Sequence, residues 1–451
     1  MSTPTVTSRT ALPAEADLTR LVEQALDEAR RQGASAAEAT VSVGTGLSVH
    51  VRQGTVETVE HERDRSLAVV VYFGQRQGAA ASADFSADSI RATVTAACSI
   101  ARYTSEDPAH GLADPALMAR SIPELDLNHP WELDPDAAID KALACEAAAL
   151  DADARVTNSE GAGVSTGQTV RVYGNSHGFV GGLTGTRHGM NCIAVAADNN
   201  GMQRDLWYTV ARRPEELEAP ETVGRQAGER AARRLGSHRI ETANMPVLYV
   251  PEAARGLLGH FLGAIRGSNL YRQASFLVDH LGESVFPAHV TLTEYPHLPR
   301  ALGSAPFDSE GVATQERVVV DRGVLRGYVL DSYAARKLGM TSTGNAGGVH
   351  NLTLEPGDYD FDGLVRLMGD GLVVTELMGQ GVNTVTGDYS RGAAGFRVVD
   401  GAIQGPVEEI TVAGNLRTMF RNIRAVGRDL DTRGSVRTGS ILLDDVTVAG
   451  S

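Results

Sequence analysis

The order of predicted helices and strands constrains the fold most, because one order occurs twice in the first half of the chain. Residues 17–33, with Asp17 as the predicted N-cap, place apolar side chains at helical spacing. Alternating apolar residues from Val41 onward predict about four strands, and a second helix follows at residues 86–103. Short strands joined by tight turns between helices predict mostly antiparallel sheets and hence an α+β fold.

The second unit begins at Asp134, the predicted N-cap of a helix whose first residue is Pro135. Strand-like segments separated by glycine turns follow, and residues 221–236 form the closing helix. The two units look like versions of one another. We therefore expect a flexible N-terminus at 1–15, an N-terminal α+β unit at 16–110, a middle α+β unit at 111–240 that resembles a duplicate of the first, and a β-rich C-terminal domain at 241–451.

Strands and glycine loops dominate the sequence after Met245. The dipeptides Arg322-Gly323 and Asp400-Gly401 are typical of two-residue hairpin turns. Two glycine loops, at residues 342–351 and 386–396, expose enough backbone to hold an anion or a peptide main chain. Structural turns are the more common role of such loops, and the sequence leaves both roles open.

Charge, cysteine content and hydropathy argue against several classes of protein. The 41 Lys and Arg residues against 56 Asp and Glu give a net charge of −15, which argues against nucleic-acid binding. The widely separated Cys98, Cys145 and Cys192 predict buried thiols in a reducing compartment rather than disulfides. The N-terminus has no apolar core, and the longest strongly apolar run, residues 66–74, has the length of a strand. We expect a cytoplasmic protein without a membrane partner.

A G-x-S-x-G sequence at residues 174–178 matches the pattern of a serine nucleophile, Ser176. Such a nucleophile requires a strand before the serine and a helix after it. The following segment has strand and glycine character instead, so a hairpin turn is the favoured interpretation. The 12 histidines also lack the spacing of a compact zinc site.

Residues 251–267, PEAARGLLGHFLGAIRG, form a predicted helix with glycines at 256, 259, 263 and 267. Each interior glycine costs a helix about 1 kcal/mol relative to alanine, so the glycines require a reason. The apolar residues form one stripe of this helix, and the glycines lie on another face. We expect that face to be buried against a closely approaching backbone, with His260 as a hydrogen-bonded structural residue rather than a metal ligand.

Long motifs in the C-terminal half indicate a family resemblance. These segments are GLLGHFLGAIRG (256–267), APFDSEGV (305–312), TSTGNAGGVHN (341–351), TELMGQGVNTVTGDYSRGAAGF (375–396) and EEITVAGNLRTMFRNI (408–423). Together they closely resemble the PmbA (TldE) branch of the TldD/PmbA family of cytoplasmic bacterial proteases, and the match extends over nearly the whole chain. The resemblance implies two α+β units followed by a large β-rich domain, in agreement with the pattern of predicted elements.

The resemblance also implies a heterodimer with a TldD-like subunit. That partner carries a helical H-E-x-x-x-H motif, in which two histidines bind zinc and the glutamate acts as general base. Aligning the motif with residues 251–267 puts Gly259 at the first histidine, His260 at the glutamate and Ala264 at the second histidine. No cysteine follows Cys192 to match the partner's further ligand. The resemblance therefore implies no metal ligand and no catalytic residue in this chain, and zinc in the TldD-like partner.

A metal-free subunit of this kind is implied to wall one side of a channel and to hold an extended, unstructured peptide. Such peptides can be bound through main-chain hydrogen bonds, for which glycine loops expose suitable backbone. The expected contacts with peptide or partner are Asp388, Tyr389, Arg391 and Asn415, and a purely structural role inside the loops is equally open. Two other functions stay open: a peptide-binding or regulatory module without proteolysis, and an independent hydrolase acting through Ser176 or unrecognised ligands.

Overall fold

The computed structural model describes residues 12–199 and 201–450. Within these ranges the helices are α1 (Glu15–Arg31), α2 (Ala87–Tyr103), α3 (Pro135–Leu150), α4 (Pro220–Arg233), α5 (Pro251–Ile265), α6 (Gly267–Leu270), α7 (Ser332–Lys337), α8 (Phe361–Met368) and α9 (Leu416–Arg421). Most of the predicted flexible N-terminus, residues 1–15, lies outside the described residues, and α1 begins at its end.

The strands fall into an N-terminal and a C-terminal group. The N-terminal strands are β1 (Ala36–Arg52), β2 (Thr55–Phe73), β3 (Arg76–Ser82), β4 (Val156–Asn175), β5 (Val180–Asp198) and β6 (Gly201–Ala211). The C-terminal strands are β7 (Ala243–Tyr249), β8 (Leu292–Glu294), β9 (Arg317–Asp321), β10 (Val324–Leu325), β11 (Leu352–Leu354), β12 (Gly371–Met378), β13 (Asp388–Val399), β14 (Ala402–Asn415), β15 (Ile423–Val426), β16 (Val436–Arg437) and β17 (Ile441–Ala449).

The two α+β units contribute to a single antiparallel sheet of six strands, in the order β3-β2-β1-β4-β5-β6. Each unit supplies three strands, so the prediction of about four strands per unit was wrong. The difference arises because β1 runs for 17 residues through Gly44 and Gly46, where the apolar alternation lapses. Neither glycine has a positive φ, so the backbone stays extended and the strand continues.

The order of elements is the same in both units, α1-β1-β2-β3-α2 and α3-β4-β5-β6-α4. Their first strands pair antiparallel at the centre of the sheet, where Glu38 of β1 lies opposite Asn175 of β4. Val43 of β1 belongs to the buried cluster that contains residues of α1 and α2, and Val49 belongs to the one that contains residues of α3 and α4. Because these residues are an even number apart in the strand, both helix pairs cover the same face. The predicted α+β fold class is confirmed.

Local signals at helix ends and turns gave mostly correct predictions. Asp134 caps α3 as predicted, since its Oδ1 accepts a hydrogen bond from the backbone N–H of Ala137 at 2.8 Å. The predicted cap Asp17 was wrong, because α1 begins two residues earlier and Asp17 lies inside its first turn. In the predicted hairpin turns, Arg322-Gly323 and Asp400-Gly401, both residues of each pair have positive φ, as a type I′ turn requires.

The three cysteines are buried and free, as predicted. Cys98 lies in α2, Cys145 in α3 and Cys192 in β5. No helix in the described part of the chain is both long and apolar enough to cross a membrane.

The C-terminal domain contains two sheets around one hydrophobic core. In the first sheet the strand order is β14-β13-β12-β7-β17-β15, and an additional pairing of β14 with β17 closes five of the strands into a barrel. The second sheet has the order β10-β9-β8-β11-β16. The core extends from Val247 to Val448, and α5 lies within it against β7, β12 and β16. This position sets which side of α5 is buried.

Several contacts join the six-stranded sheet and its helices to the C-terminal domain, and an ionic and an aromatic contact are examples. Arginines at the end of α4 pair with carboxylates of the C-terminal domain, such as Arg234 with Glu376 at 2.5 Å. The segment 305–312 reaches back to the sheet, where the Phe307 ring lies 5.3 Å from the ring of Phe179, next to β5. Ionic and aromatic contacts together therefore fix the relative position of these parts.

Glu310, in the same segment, is a mostly buried acid at this contact. Its Oε2 accepts a hydrogen bond from the backbone N–H of Ser332 at 3.0 Å. Burial, together with the charges of Asp308 and Glu38, raises the pKa of Glu310 to about 7, although the hydrogen bonds from Ser332 oppose this shift. Glu38 comes from β1, and burial raises its pKa too. The contact between sheet and domain therefore contains an acid that is partly protonated near neutral pH.

We expect the substitution Glu310→Gln to stabilise the protein at pH 8. The folded-state pKa of about 7 lies above the ordinary value of 4.5, so the folded protein holds a proton that the unfolded chain releases. Stability is therefore lost as the pH rises through that window. Glutamine cannot ionise, so the free energy of unfolding of the variant should exceed that of the wild type by about 1–3 kcal/mol at pH 8.

Urea unfolding at pH 8 and at about pH 4.5 measures this difference, which should nearly vanish at the lower pH. The exposed Glu316 provides the control, since Glu316→Gln should change stability little at either pH. An equal effect of Glu310→Gln at both pH values would contradict the prediction.

Candidate functional site

The G-x-S-x-G sequence forms a hairpin turn, as favoured from the sequence. β4 ends at Asn175 and β5 begins at Val180, so a strand rather than a helix follows Ser176. The Oγ of Ser176 accepts a hydrogen bond from the backbone N–H of Ala37 at 3.0 Å. Ser176 therefore joins the end of β4 to β1, and the arrangement is not that of a nucleophile elbow.

The glycine loop at residues 342–351 encloses an anion that belongs to the chain itself. The Glu294 side chain is 2% exposed and accepts hydrogen bonds from Asn345 Nδ2 at 2.8 Å and from the backbone N–H of His350 at 2.6 Å. Its second oxygen pairs with Arg317 Nε at 2.7 Å. This loop therefore stabilises a buried ion pair, and its anion-binding capacity is already used.

The predicted helix at residues 251–267 is α5, and its apolar stripe is buried as expected. Leu257, Leu258 and Ile265 are at most 1% exposed. The ring of Phe261 lies 4.9 Å from that of Phe286 and 5.9 Å from that of Phe420. These contacts hold one side of the helix in the core of the C-terminal domain.

The opposite side of α5 is open, so the predicted burial of the glycines was wrong for most of them. A Cβ atom placed on Gly259 or Gly263 would have no other heavy atom within 4 Å, and at Gly256 it would meet only Arg391 Nη1, at 3.8 Å. Gly267 alone fits the prediction, since its Cβ would lie 2.5 Å from Ala334 Cβ. The physical reason is that the apolar stripe already supplies the packing, so the bare side faces away from the core.

We call the open side of α5, formed by Gly256, Gly259, His260 and Gly263, the glycine face. His260 belongs to it because Gly256 precedes it by four residues and Gly263 follows by three, which places all three on one side of a helix. The His260 ring lies edge-on to the ring of Tyr389 of β13, with centroids 5.8 Å apart. The glycine face therefore meets β13 at this pair of rings.

Three buried polar atoms around this junction have no hydrogen-bond partner among the described residues: His260 Nε2, Tyr249 Oη and Tyr389 Oη. Tyr249, the last residue of β7, is 0% exposed, and Tyr389 is 2% exposed. The prediction that His260 is a hydrogen-bonded structural residue was therefore wrong at Nε2. An unsatisfied buried polar group costs about 1–3 kcal/mol, so a cluster of three requires an explanation.

Arg391 supplies the only formal positive charge of this cluster. Its Nε donates to the carbonyl oxygen of Gly379 at 3.0 Å and its Nη2 to that of Leu377 at 3.3 Å. Burial and then the charge of Arg391 lower the pKa of His260, while burial raises the pKa of both tyrosines. Near pH 7 the histidine and tyrosines are therefore neutral, and the guanidinium carries the charge.

The structure brings two of the four predicted contact residues to the glycine face. Tyr389 and Arg391 alternate along β13 and point toward α5, whereas Asp388 lies on the other face of the strand. Asp388 pairs across β13 and β14 with Asn415, whose Nδ2 donates to Asp388 Oδ1 at 3.2 Å and whose Oδ1 accepts from the backbone N–H of Arg417 at 3.1 Å. Asp388 and Asn415 therefore make contacts within their own loop and cap.

The sequence analysis missed Tyr249. Its signal was weak, because Tyr249 stands in the apolar run PVLYV and is indistinguishable there from a core aromatic residue. Only its position at the end of the strand that leads directly into α5 connects it with the glycine face.

The residues of α5 do not fit a metal site. Glycine at 259 and alanine at 264 have no donor atom in their side chains, so His260 stands without a second ligand on the helix. In the part of the chain that the structure describes, no group of three or more His, Cys, Asp or Glu side chains is placed to hold a metal ion.

Comparison with known protein families matches three segments of the chain. Residues 37–101, 128–235 and 242–450 match the models of domain 1, the central domain and the C-terminal domain of the PmbA/TldA metallopeptidases. The metalloprotease PmbA of Escherichia coli O157:H7 is 49% identical over 414 residues, 92% of each chain. A metalloprotease PmbA homolog of Haemophilus influenzae is 44% identical over 438 residues, 97% of each chain.

Solved structures share the fold. A crystal structure from Bacteroides thetaiotaomicron, of a protein named as a candidate modulator of DNA gyrase, has a TM-score of 0.91 at 29% identity and covers 96% of this chain and 99% of its own. TldE from Thermococcus kodakarensis has a TM-score of 0.82 at 20% identity, covers 97% of this chain and 100% of its own, and shows the fold alone. The relatives define a protein of the metalloprotease type. The chain belongs to the PmbA/TldD family.

We expect the substitution Gly259→Ala to stabilise the protein. The position lies inside a helix, and a Cβ atom there would meet nothing within 4 Å. Alanine should therefore gain up to about 1 kcal/mol from its helix propensity without a steric cost. The midpoint of urea unfolding should rise.

Gly224→Ala in α4 is the matched control. A Cβ atom on Gly224 would clash with the carbonyl oxygen of Cys145 in α3, so the same exchange should destabilise the protein there. A destabilising effect of Gly259→Ala would show that the glycine face is packed in solution.

Proposed function

We propose that this chain is the metal-free, PmbA/TldE-type subunit of a heterodimeric zinc peptidase that cleaves unstructured peptides in the cytoplasm. The partner would be a TldD-like subunit, which carries the H-E-x-x-x-H motif and the zinc. The observation that carries this proposal is α5, which keeps its place in the domain core but presents glycine and alanine where the family motif has zinc ligands.

The role of the glycine face in this complex is to form one wall of the substrate channel. A wall without side chains lets an extended peptide approach closely, and it does not select among substrate side chains. Tyr389 and Arg391 border this face and would contact the peptide. Asp388 and Asn415 lie on the other side of the β13–β14 hairpin and would contact the partner or support the loop.

The first test is cleavage of an unstructured peptide in zinc buffer by this chain alone, by the TldD-like subunit alone and by their mixture. We expect cleavage by the mixture only, and we expect it to disappear when the glutamate of the partner's H-E-x-x-x-H motif is replaced by glutamine. Cleavage by this chain alone would overturn the proposal. Ser176→Ala should leave the activity of the mixture unchanged, because Ser176 sits in a hairpin turn.

A size series at position 259 tests the channel wall. Gly259→Phe should lower the cleavage rate of the mixture at least tenfold, about 1.4 kcal/mol, because the ring would occupy the space over the glycine face. Gly259→Ala adds one methyl group in open space and should keep most of the activity.

Gly259→Phe could lower the activity by blocking the channel or by preventing formation of the complex. Size-exclusion chromatography separates these two cases. If the variant still forms the complex, the lost activity reflects a blocked channel. Full activity of Gly259→Phe in an intact complex would contradict the proposed wall.

A further inference from the structure

Arg391 is a partly buried arginine of the C-terminal domain, and no carboxylate among the described residues pairs with it. Arg317 pairs with Glu294, Arg255 pairs with Asp431, and Arg433 pairs with both Asp431 and Glu252. Burying a cation without a counter-charge is costly, and proteins ordinarily pair it. Arg391 uses two of its nitrogens on carbonyl oxygens, and the third, Nη1, faces the position of Gly256 on the glycine face.

The polar atoms beside Arg391 are unsatisfied in the same way. Tyr389 Oη, Tyr249 Oη and His260 Nε2 are buried without a hydrogen-bond partner among the described residues, and Tyr249 and Tyr389 are at least 98% buried. A phenolic hydroxyl and a neutral imidazole N–H can each donate to an anionic oxygen. One unpaired cation with unused donors around it is an environment suited to an anion.

The size and charge of the environment indicate which anion. A single guanidinium balances one negative charge, which matches a carboxylate, and the N–H groups of Nη1 are the donors that face the glycine face. From Gly256 to Gly263 the glycine face spans seven residues of helix, about 10 Å, and this is the length of about three residues of an extended chain. A peptide that ends at Arg391 can therefore lie along the bare side of the helix.

We propose that the glycine face binds the C-terminal carboxylate of an extended peptide, with Arg391 as the charged contact and Tyr389 and His260 as hydrogen-bond donors. This inference rests on the proposed function and adds the chemical group by which the chain holds its substrate. Arg391 binds at the Gly256 end, and the last residues of the peptide lie over Gly259 and Gly263.

The test is direct binding of a peptide to the full chain without its partner. An unstructured peptide labelled at its N-terminus is prepared with a free C-terminal carboxylate and, separately, as its C-terminal amide, and binding is followed by fluorescence anisotropy. We expect the free acid to bind at least tenfold more tightly than the amide, about 1.4 kcal/mol. Equal affinities would overturn the proposal.

Two variants and a control locate the site. Tyr389→Phe removes a hydroxyl that has no hydrogen-bond partner within the described part of the chain, so the melting temperature of the variant should equal or exceed that of the wild type while the preference for the acid declines. Arg391→Gln should abolish the preference. Arg322→Gln, at a residue whose side chain is 80% exposed, is the charge-matched control and should keep it. Retention of the preference in both Tyr389→Phe and Arg391→Gln would overturn the assignment.

Acetate distinguishes the source of the carboxylate. If millimolar acetate displaced the acid and the amide peptides equally, the site would bind free small carboxylates, and the assignment to a peptide terminus would fall. Equal cleavage of acid and amide peptides by the mixture with the TldD-like subunit would overturn the carboxylate site and leave the proposed function intact. Acid-selective binding without any cleavage by the mixture would support the carboxylate site and overturn the proposed function.

Discussion

The one-sided packing of α5 is the constraint on which the candidate site depends. Phe261 and its neighbours on the apolar stripe are buried, and full burial of a large apolar side chain contributes about 1.5–3 kcal/mol. Several such side chains outweigh the three glycines of the open face, which cost about 1 kcal/mol each. The helix is therefore held mainly by its buried side, and Gly259 and Gly263 on its other side have no packing role.

The contacts between the sheet and the C-terminal domain differ in their exposure to solvent. The segment 305–312 makes one of the buried contacts. The ion pair of Arg234 with Glu376 is partly exposed, with the glutamate side chain 37% accessible, so it contributes little to stability. Phe307 is 5% exposed and packs beside Tyr173 and Phe179, so this contact buries apolar surface in addition to the ionic contacts. This segment is a docking element of the fold, distinct from the glycine face.

The sequence predicted local features well and their surroundings poorly. The turn dipeptides, the cap at Asp134 and the apolar stripe of α5 follow from patterns within a few residues. Whether the glycines face a neighbour or open space is not encoded locally, because a glycine gives the same signal in both settings. The isolation of Arg391 is likewise a property of the assembled domain, since it depends on which carboxylates the fold brings near β13. The single sheet shared by both units required knowledge of the pairing of β1 with β4.

The glycines and Arg391 act together in the proposed binding of the peptide. In an H-E-x-x-x-H helix the positive charge is a zinc ion held by the helix, whereas here it comes from β13 and lies beside a helix without ligands. A side chain larger than hydrogen at position 256 would lie against Arg391 Nη1, which is 3.8 Å from the Cβ position. The bare face therefore gives room to the peptide and also keeps the guanidinium accessible. Small residues along α5 thus serve both ends of this face, with Gly256 beside the cation and Gly259 and Gly263 in open space.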